Sequence, residues 1–111
     1  MIRQIVFHGE YFIDFYKKLD SGVKSKFKYV FELIKQVEMV PKKLLAPMTG
    51  CEGLFEIRIE CQSNIYRVFC CFDKGKLVVL FNGFQKKTQK TPKQAIQTAE
   101  ERKKDYFRRE K

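Results

Sequence analysis

The chain has 111 residues, of which 44% are hydrophobic and eleven are phenylalanine, so we expect one folded domain with its own core rather than a disordered chain. No apolar run approaches the roughly 20 residues of a membrane-spanning helix, and the amino terminus lacks the apolar region and cleavage site of a signal peptide, which predicts a cytoplasmic protein. The formal net charge of +10 favours polyanionic partners, which include RNA, DNA, the ribosome, acidic proteins and anionic membranes.

The amino-terminal third of the chain predicts a short strand followed by two helices. Residues 4–7 are the strand. Apolar residues then recur at helical spacing over residues 12–19 and again over residues 23–37, which predicts an αα-hairpin. Ser21 is the expected N-cap of the second helix. Residues 42–53 contain no alternation long enough for a strand, and we expect a loop there.

Two strands joined by a tight turn come next and carry the polar residues of most interest. The alternation of residues 54–60 puts Glu56 and Arg58 on one face, about 6 to 7 Å apart along the strand. Arg67, on the strand of residues 65–72, can reach the same face. With the strand that follows, this arrangement predicts an antiparallel meander.

The last strand carries positive charge to its carboxyl end. The apolar run of residues 77–81 is typical of a strand buried on both faces. It continues through Asn82 and Gly83 to Lys86 and Lys87, and Thr91-Pro92 then predicts the N-cap and first residue of a final helix. Residues 84–111 hold ten Lys or Arg and four Asp or Glu, a net charge of +6. The cations of this region that we consider for RNA or ribosome binding are Lys90, Lys93, Lys103 and Lys104.

The order β-α-α-β-β-β-α predicts an α/β (α+β) fold, in which a helical hairpin packs on one face of a small, mostly antiparallel sheet. We expect two layers, with the opposite face of the sheet partly open. Glu56, Arg58 and Arg67 would lie together on that open face.

The four cysteines and the single histidine predict structural roles. The chain has no C-x-x-C pair, and Cys70 and Cys71 are neighbours on a strand, so their side chains point to opposite faces and cannot chelate together. We therefore expect Cys51, Cys61, Cys70 and Cys71 to be reduced, packed thiols. His8 is expected to be a structural residue at a strand end.

Two interpretations of the polar face remain open at this stage. Cleavage of RNA through its own 2′-OH needs a proton acceptor, which Glu56 can supply, and cations that stabilise the phosphorane. The candidate catalytic residues are Glu56, Arg58, Arg67, Lys86 and Lys87. Alternatively, Glu56, Arg58, Glu60 and Arg67 form ion pairs on a solvated sheet face, and the lysine-rich tract is a nonspecific phosphate-binding loop.

Three segments resemble the RelE/ParE toxin superfamily, with the greatest likeness to its HigB-type, phage-derived-protein-like branch: GLFEIR at residues 53–58, YRVF at residues 66–69 and LFNGFQKKTQKTP at residues 80–92. The resemblance implies the fold described above and the toxin of a type II toxin–antitoxin pair. It implies ribosome-dependent cleavage of mRNA in the A site with no metal cofactor. It also implies an antitoxin partner with a helix-turn-helix domain. Because the sequence has no membrane-spanning run, we expect no membrane partner.

By position, Arg58 and Arg67 match basic strand residues that face RNA in RelE-like toxins, and Lys86 and Lys87 fall near the basic residue that ends the last strand. Glu56 lies where members vary between acidic and basic residues. The chain lacks the His-Tyr or Arg-Tyr ending of several nucleases of the superfamily, which leaves Tyr106 as the substitute on the last helix. A ParE-like gyrase inhibitor and a non-catalytic RNA-binding module are the alternative functions.

Overall fold

The computed structural model describes residues 2–87 and 91–109. Its helices and strands, in chain order, are β1 (Gln4–Phe7), α1 (Tyr11–Tyr16), α2 (Ser21–Gln36), β2 (Leu45–Pro47), β3 (Phe55–Cys61), β4 (Asn64–Asp73), β5 (Leu77–Lys86) and α3 (Lys93–Arg109). None of the helices in this part of the chain is long and apolar enough to cross a membrane.

The five strands form one sheet in the order β1-β5-β4-β3-β2. The pair β1–β5 is parallel and the other three pairs are antiparallel, which confirms the first strand and the meander. The expected loop at residues 42–53 is partly wrong, because Leu45–Pro47 pairs with Phe55–Ile57 as an edge strand. Three residues are too few to produce a readable alternation, and the partner strand decides their conformation.

The helical hairpin packs on one face of the sheet, as expected. Phe27 lies at the centre of this layer, where its ring centroid is 6.0 Å from that of Phe12 and 5.7 Å from that of Tyr66 on β4. The N-cap of α2 is Asp20 rather than Ser21, since the Asp20 carboxylate accepts a hydrogen bond of 3.0 Å from the backbone N–H of Val23. A carboxylate is a good acceptor for this hydrogen bond, and its negative charge interacts favourably with the positive, amino-terminal end of the helix dipole.

The expectation of two layers is wrong, because α3 packs on the opposite face of the sheet. Ala99 of α3 is fully buried there, against a cluster that includes Phe69 of β4 and Phe81 of β5. The apolar run of β5 explains why this cover is needed: Val78 and Val79 point to opposite faces and both are fully buried. The helix begins at Lys93 rather than at Pro92.

A bulge in β5 changes which of its side chains face α3. Cys70 pairs with Leu80 and Val68 pairs with Gly83, so two residues of β5 lie opposite the single residue Phe69 of β4. The Asn82-Gly83 dipeptide is therefore inside the strand, and β5 extends beyond the apolar run of residues 77–81. An extra residue reverses the alternation beyond it, and Phe84 and Lys86 consequently share the face of Arg67.

Gly83 lies at this bulge on the side of α1. A Cβ atom at this position would approach Cδ2 of Phe15 to 2.6 Å, closer than non-bonded carbon atoms approach. The absence of a side chain at Gly83 therefore allows the aromatic layer of α1 to lie directly on the carboxyl end of β5.

Cys70 and Cys71 are buried on opposite faces of β4, as the alternation predicts, and Cys51 and Cys61 are half-buried free thiols. Burial raises the pKa of the Cys70 thiol, and it raises the pKa of the Cys71 thiol from 9.0 to about 11. At a pH above the pKa of a cysteine thiol in the unfolded chain, the folded protein therefore holds more protons than the unfolded chain.

We accordingly predict that the free energy of unfolding falls as the pH rises from about 9 towards 11, since deprotonation favours the unfolded chain in that window. Urea denaturation at a series of pH values measures this fall. At pH 8, a thiol reagent should modify Cys51 and Cys61 and leave Cys70 and Cys71 intact until urea unfolds the protein. Rapid modification of all four thiols in the native protein would contradict the prediction.

Candidate active site

Glu56, Arg58 and Arg67 form one ion-paired cluster on the α3 side of the sheet. Arg58 of β3 and Arg67 of β4 are directly opposite each other in the strand register, an arrangement that repels without a compensating charge. Glu56 supplies that charge: its Oε1 accepts a hydrogen bond of 2.8 Å from Nε of Arg58 and lies 3.7 Å from Nε of Arg67. The structure thus brings the three residues together as the alternation predicts.

The cluster is much less solvated than an ordinary surface ion pair. The side chains of Glu56 and Arg67 are 7% and 11% exposed, whereas that of Arg58 is 38% exposed. The ion pairs that Glu56 was expected to form with Arg58 and Arg67 are therefore present, but this part of the sheet is largely inaccessible to solvent. Burial lowers the pKa of the Arg67 guanidinium; the carboxylate of Glu56 acts in the opposite direction and Arg58 acts with the burial.

The cluster also contains buried polar atoms without a partner. Within the described residues, Oε2 of Glu56 and Nε of Arg67 are inaccessible to solvent and have no hydrogen-bond partner. Unpaired buried polar atoms are rare in stable proteins because each one costs free energy. Nε of Arg67 lies 3.7 Å from the other carboxylate oxygen, Oε1, which is too far for a hydrogen bond.

The two arginines are held in different ways. Nη1 of Arg67 donates to the carbonyl of Tyr66 at 3.1 Å, which holds the guanidinium close to its own strand. Arg58 lies nearer the sheet edge, where its Nη1 donates to the carbonyl of Lys42 at 3.4 Å and its backbone N–H to the carbonyl of Leu44 at 2.8 Å. Arg67 is thus the more buried cation and Arg58 the more accessible one.

The bulge of β5 brings Lys86 onto the same face. Phe84 is opposite Arg67 in the strand register, and Lys86 is the next residue of β5 that points to this side. The ring of Phe84 packs on that of Phe69 at a centroid distance of 5.5 Å, which fixes the strand beside the cluster. A carboxylate, two guanidinium groups and an ammonium group therefore share one part of the sheet face.

The other cations predicted from the sequence lie outside this cluster. Lys87 and Lys93 are exposed, at the end of β5 and the start of α3. Lys103 donates to the carbonyl of Glu52 at 2.8 Å and so fastens the loop before β3 to α3. Lys104 is exposed and borders a surface hollow beside Phe107 and Lys103. Lys90 lies outside the described residues. RNA binding by Lys90, Lys93, Lys103 and Lys104 remains a prediction.

His8 and Tyr106 are engaged far from the cluster. Nε2 of His8 lies 3.0 Å from Oδ2 of Asp105 on α3, which agrees with a structural role at the end of β1. The hydroxyl of Tyr106 donates to Oδ2 of Asp73 at 2.7 Å. Asp73 is six residues from Arg67 along β4, about 20 Å. Tyr106 is therefore not the substitute acid or base that the sequence suggested.

Asn82 is a half-buried polar residue of β5 that was not among the candidate site residues. Its Nδ2 donates to the carbonyl of Ala95 on α3 at 3.4 Å, and within the described residues its buried Oδ1 has no partner. The bulge turns this side chain towards α3. An Asn-Gly pair predicts a hairpin turn only when a second strand follows it directly. Here no second strand follows, and this is the sequence signal that distinguishes the bulge from a turn.

The fold and the polar cluster define a small α+β protein with an ion-paired site on one face of its sheet. Comparison with known proteins identifies the family of this protein. The archaeal RelE–RelB complex from Pyrococcus horikoshii OT3 is among the solved structures that match. One of its chains has a TM-score of 0.55 and 19% sequence identity, over 77% of this chain and 96% of that chain. The likeness establishes a RelE-like fold. None of the curated proteins matches this chain.

The sequence also matches the phage-derived protein Gp49-like family (DUF891) over residues 14–104. This region holds β2 to β5, α2 and most of α3, and it contains every residue of the polar cluster. The chain therefore belongs to the Gp49-like family. Family and fold together confirm the resemblance to RelE-type toxins that the sequence motifs indicated.

Proposed function

We propose that this protein is the toxin of a type II toxin–antitoxin pair and that it cleaves mRNA on the ribosome without a metal cofactor. The observation that carries the proposal is the carboxylate of Glu56, which is buried beside two guanidinium groups and keeps one oxygen unpaired. Such a group can accept a proton next to fixed positive charge, which is what RNA cleavage through the 2′-OH requires. The net charge of +10 supports a polyanionic substrate.

The proposed reaction assigns one role to each group. The carboxylate of Glu56 accepts the proton of the 2′-OH, and the 2′ oxygen attacks the adjacent phosphorus. Arg67 and Arg58 stabilise the negative charge of the phosphorane. The bond from phosphorus to the 5′ oxygen then breaks, and the ammonium group of Lys86 supplies the proton of that leaving group. The products are a 2′,3′-cyclic phosphate and a 5′-OH.

The proposed partner in the cell is an antitoxin. The similar RelE chain was crystallised in a complex with RelB, which supports a protein partner of this kind here. The resemblance of the sequence to the HigB-type branch implies that this partner carries a helix-turn-helix domain. Cleavage on the ribosome would place the protein in the cytoplasm.

Expression of the protein without a partner tests this function. We expect growth to stop because translation stops, and pulse labelling should show that protein synthesis falls before DNA or RNA synthesis. A fall in DNA synthesis first, with induction of the DNA-damage response, would instead identify a gyrase inhibitor. Catalytically inert protein that still binds RNA would identify a simple RNA-binding module.

Binding to the RNA target should depend strongly on salt. If four or five of the cations of residues 84–111 contact phosphates, the logarithm of the binding constant should fall with the logarithm of the salt concentration at a slope of roughly −3 to −4. Replacement of Lys87 by alanine should make the slope less steep by about 0.7, whereas the same change at Lys28, an exposed lysine of α2, should not alter it. A flat salt response would contradict a phosphate-binding surface.

A further inference from the structure

An apolar groove lies between α2 and the segment that follows it. The groove has a volume of about 410 Å³ and is lined by aliphatic side chains that include Leu33, Val37, Met39, Val40 and Leu44. Met39 is 84% exposed. Exposed aliphatic side chains gathered around a groove are a feature of surfaces that bind a partner.

The groove is rigid before any partner arrives. The guanidinium group of Arg3 donates to the carbonyl of Ile34 at 2.9 Å, to that of Val37 at 2.7 Å and to that of Glu38 at 2.7 Å. These bonds satisfy carbonyls at the end of α2 and fix the direction of the chain after it. A preformed surface loses little conformational entropy when a partner binds.

Positive charge borders the groove and leads to the polar cluster. Lys26 and Lys43 line the groove, and the ammonium group of Lys26 lies 5.5 Å from the ring centroid of the exposed Tyr29. The same two lysines also line an adjoining hollow of about 250 Å³, together with Arg58 and Glu60. The groove and the accessible arginine of the candidate active site are therefore parts of one continuous surface.

We propose that this groove binds an acidic, amphipathic helix of the neutralising partner. Its apolar side chains would fill the aliphatic groove, and its carboxylates would meet Lys26 and Lys43. The distance along α2 from Lys26 to Val37 is about 16 Å, which corresponds to roughly three turns of a bound helix. The inference rests on the proposed function because the partner is the antitoxin, and the bound helix ends beside Arg58, where it blocks access of RNA to the cluster.

The lining favours a peptide over a nucleic acid. Bases bind to proteins largely by stacking on aromatic or guanidinium planes, and Tyr29 is the only aromatic side chain in the lining that the structure describes. Aliphatic pockets are instead filled by leucine-like side chains spaced at i, i+3 or i+4, and i+7. The flanking lysines select acidic residues for the remaining positions of the helix.

Synthetic peptides test the proposal with the purified full-length chain. The probe is an 18-residue helix with leucine on one face and glutamate elsewhere, and the control peptide has the same composition in a scrambled order. Calorimetry should show that the amphipathic peptide binds at least tenfold more tightly than the scrambled one, because net charge alone attracts both equally. Met39→Asp should remove this difference, and Lys43→Glu should weaken binding of both peptides.

The matched control variant is Ile13→Asp, which adds the same charge at an exposed residue of α1 outside the groove and should leave the difference intact. Equal binding of the two peptides to the unaltered protein would overturn the proposal. So would an undiminished difference between the two peptides in Met39→Asp, because the amphipathic peptide would then bind outside the groove. Met39→Asp should cleave mRNA on ribosomes as fast as the unaltered protein, because Met39 lies outside the polar cluster. If the unaltered protein does not cleave mRNA at all, the proposed function is wrong, whereas the binding of the peptide to the groove is judged by calorimetry alone.

Discussion

Replacement of Arg67 by alanine should reduce the rate of mRNA cleavage on programmed ribosomes by about 10²- to 10³-fold, while ribosome binding changes little. Arg67 is the more buried cation of the cluster: its side chain is 11% exposed, and its guanidinium donates to the carbonyl of Tyr66. A preorganised donor in a site that excludes water is effective mainly in the transition state, and loss of one such donor has an effect of this size. Single-turnover cleavage rates and separate binding measurements give the two quantities.

Arg109→Ala is the matched control for this variant. It removes the same charge from a 73% exposed arginine of α3 that pairs with Asp105, and we expect near-normal cleavage. Circular dichroism and thermal unfolding should show that both variants are folded. If Arg67→Ala weakens ribosome binding as much as it lowers the cleavage rate, Arg67 contributes to binding in general and has no special role in the chemistry.

Replacement of Glu56 by glutamine should lower the cleavage rate by about 10²- to 10⁴-fold, the usual contribution of a general base. Glutamine keeps the shape of the side chain and removes its ability to accept the proton. The variant should also be less stable, because the buried charge of Arg67 loses its carboxylate. We expect a loss smaller than the ~3–5 kcal/mol seen when a fully buried pair is broken, since the 38% exposed Arg58 remains hydrated.

The control for Glu56→Gln is Glu32→Gln, which removes a carboxylate that pairs with Lys35 on the exposed face of α2. It should leave the cleavage rate unchanged. Normal cleavage by Glu56→Gln together with loss of cleavage by Arg67→Ala would mean that Glu56 only positions the arginines. Full cleavage by both variants would place the chemistry elsewhere and leave the cluster as a set of structural ion pairs.

The parts of the fold that were predictable are those that have a local cause in the sequence. The alternation around Glu56 fixed the faces of β3, and helical spacing identified the hairpin. The position of α3 was predictable in principle, because a run such as Val78-Val79 needs cover on both faces. The short strand at Leu45–Pro47 was not, since its conformation depends on pairing with a partner distant in sequence.

The same distinction applies to the candidate site. The shared face of Glu56, Arg58 and Arg67 follows from a period of two residues, whereas their burial depends on how the surrounding layers pack. Lys86 joins the face because of the bulge at β5, and a simple alternation from Val79 onwards would place Lys86 on the opposite side. The exclusion of solvent from the cluster and the strand register beyond the bulge both depend on tertiary structure. The spacing of residues in the sequence does not reveal them.

The most direct test of the central proposal is to incubate the purified protein with ribosomes that hold a defined mRNA and to map the fragments by primer extension. The proposal predicts a cut in the A-site codon, fragments ending in a 2′,3′-cyclic phosphate and a 5′-OH, and no cut when ribosomes are omitted or when Arg67→Ala replaces the unaltered protein. An intact mRNA under these conditions, with inhibition of DNA supercoiling by gyrase in a parallel assay, would contradict it.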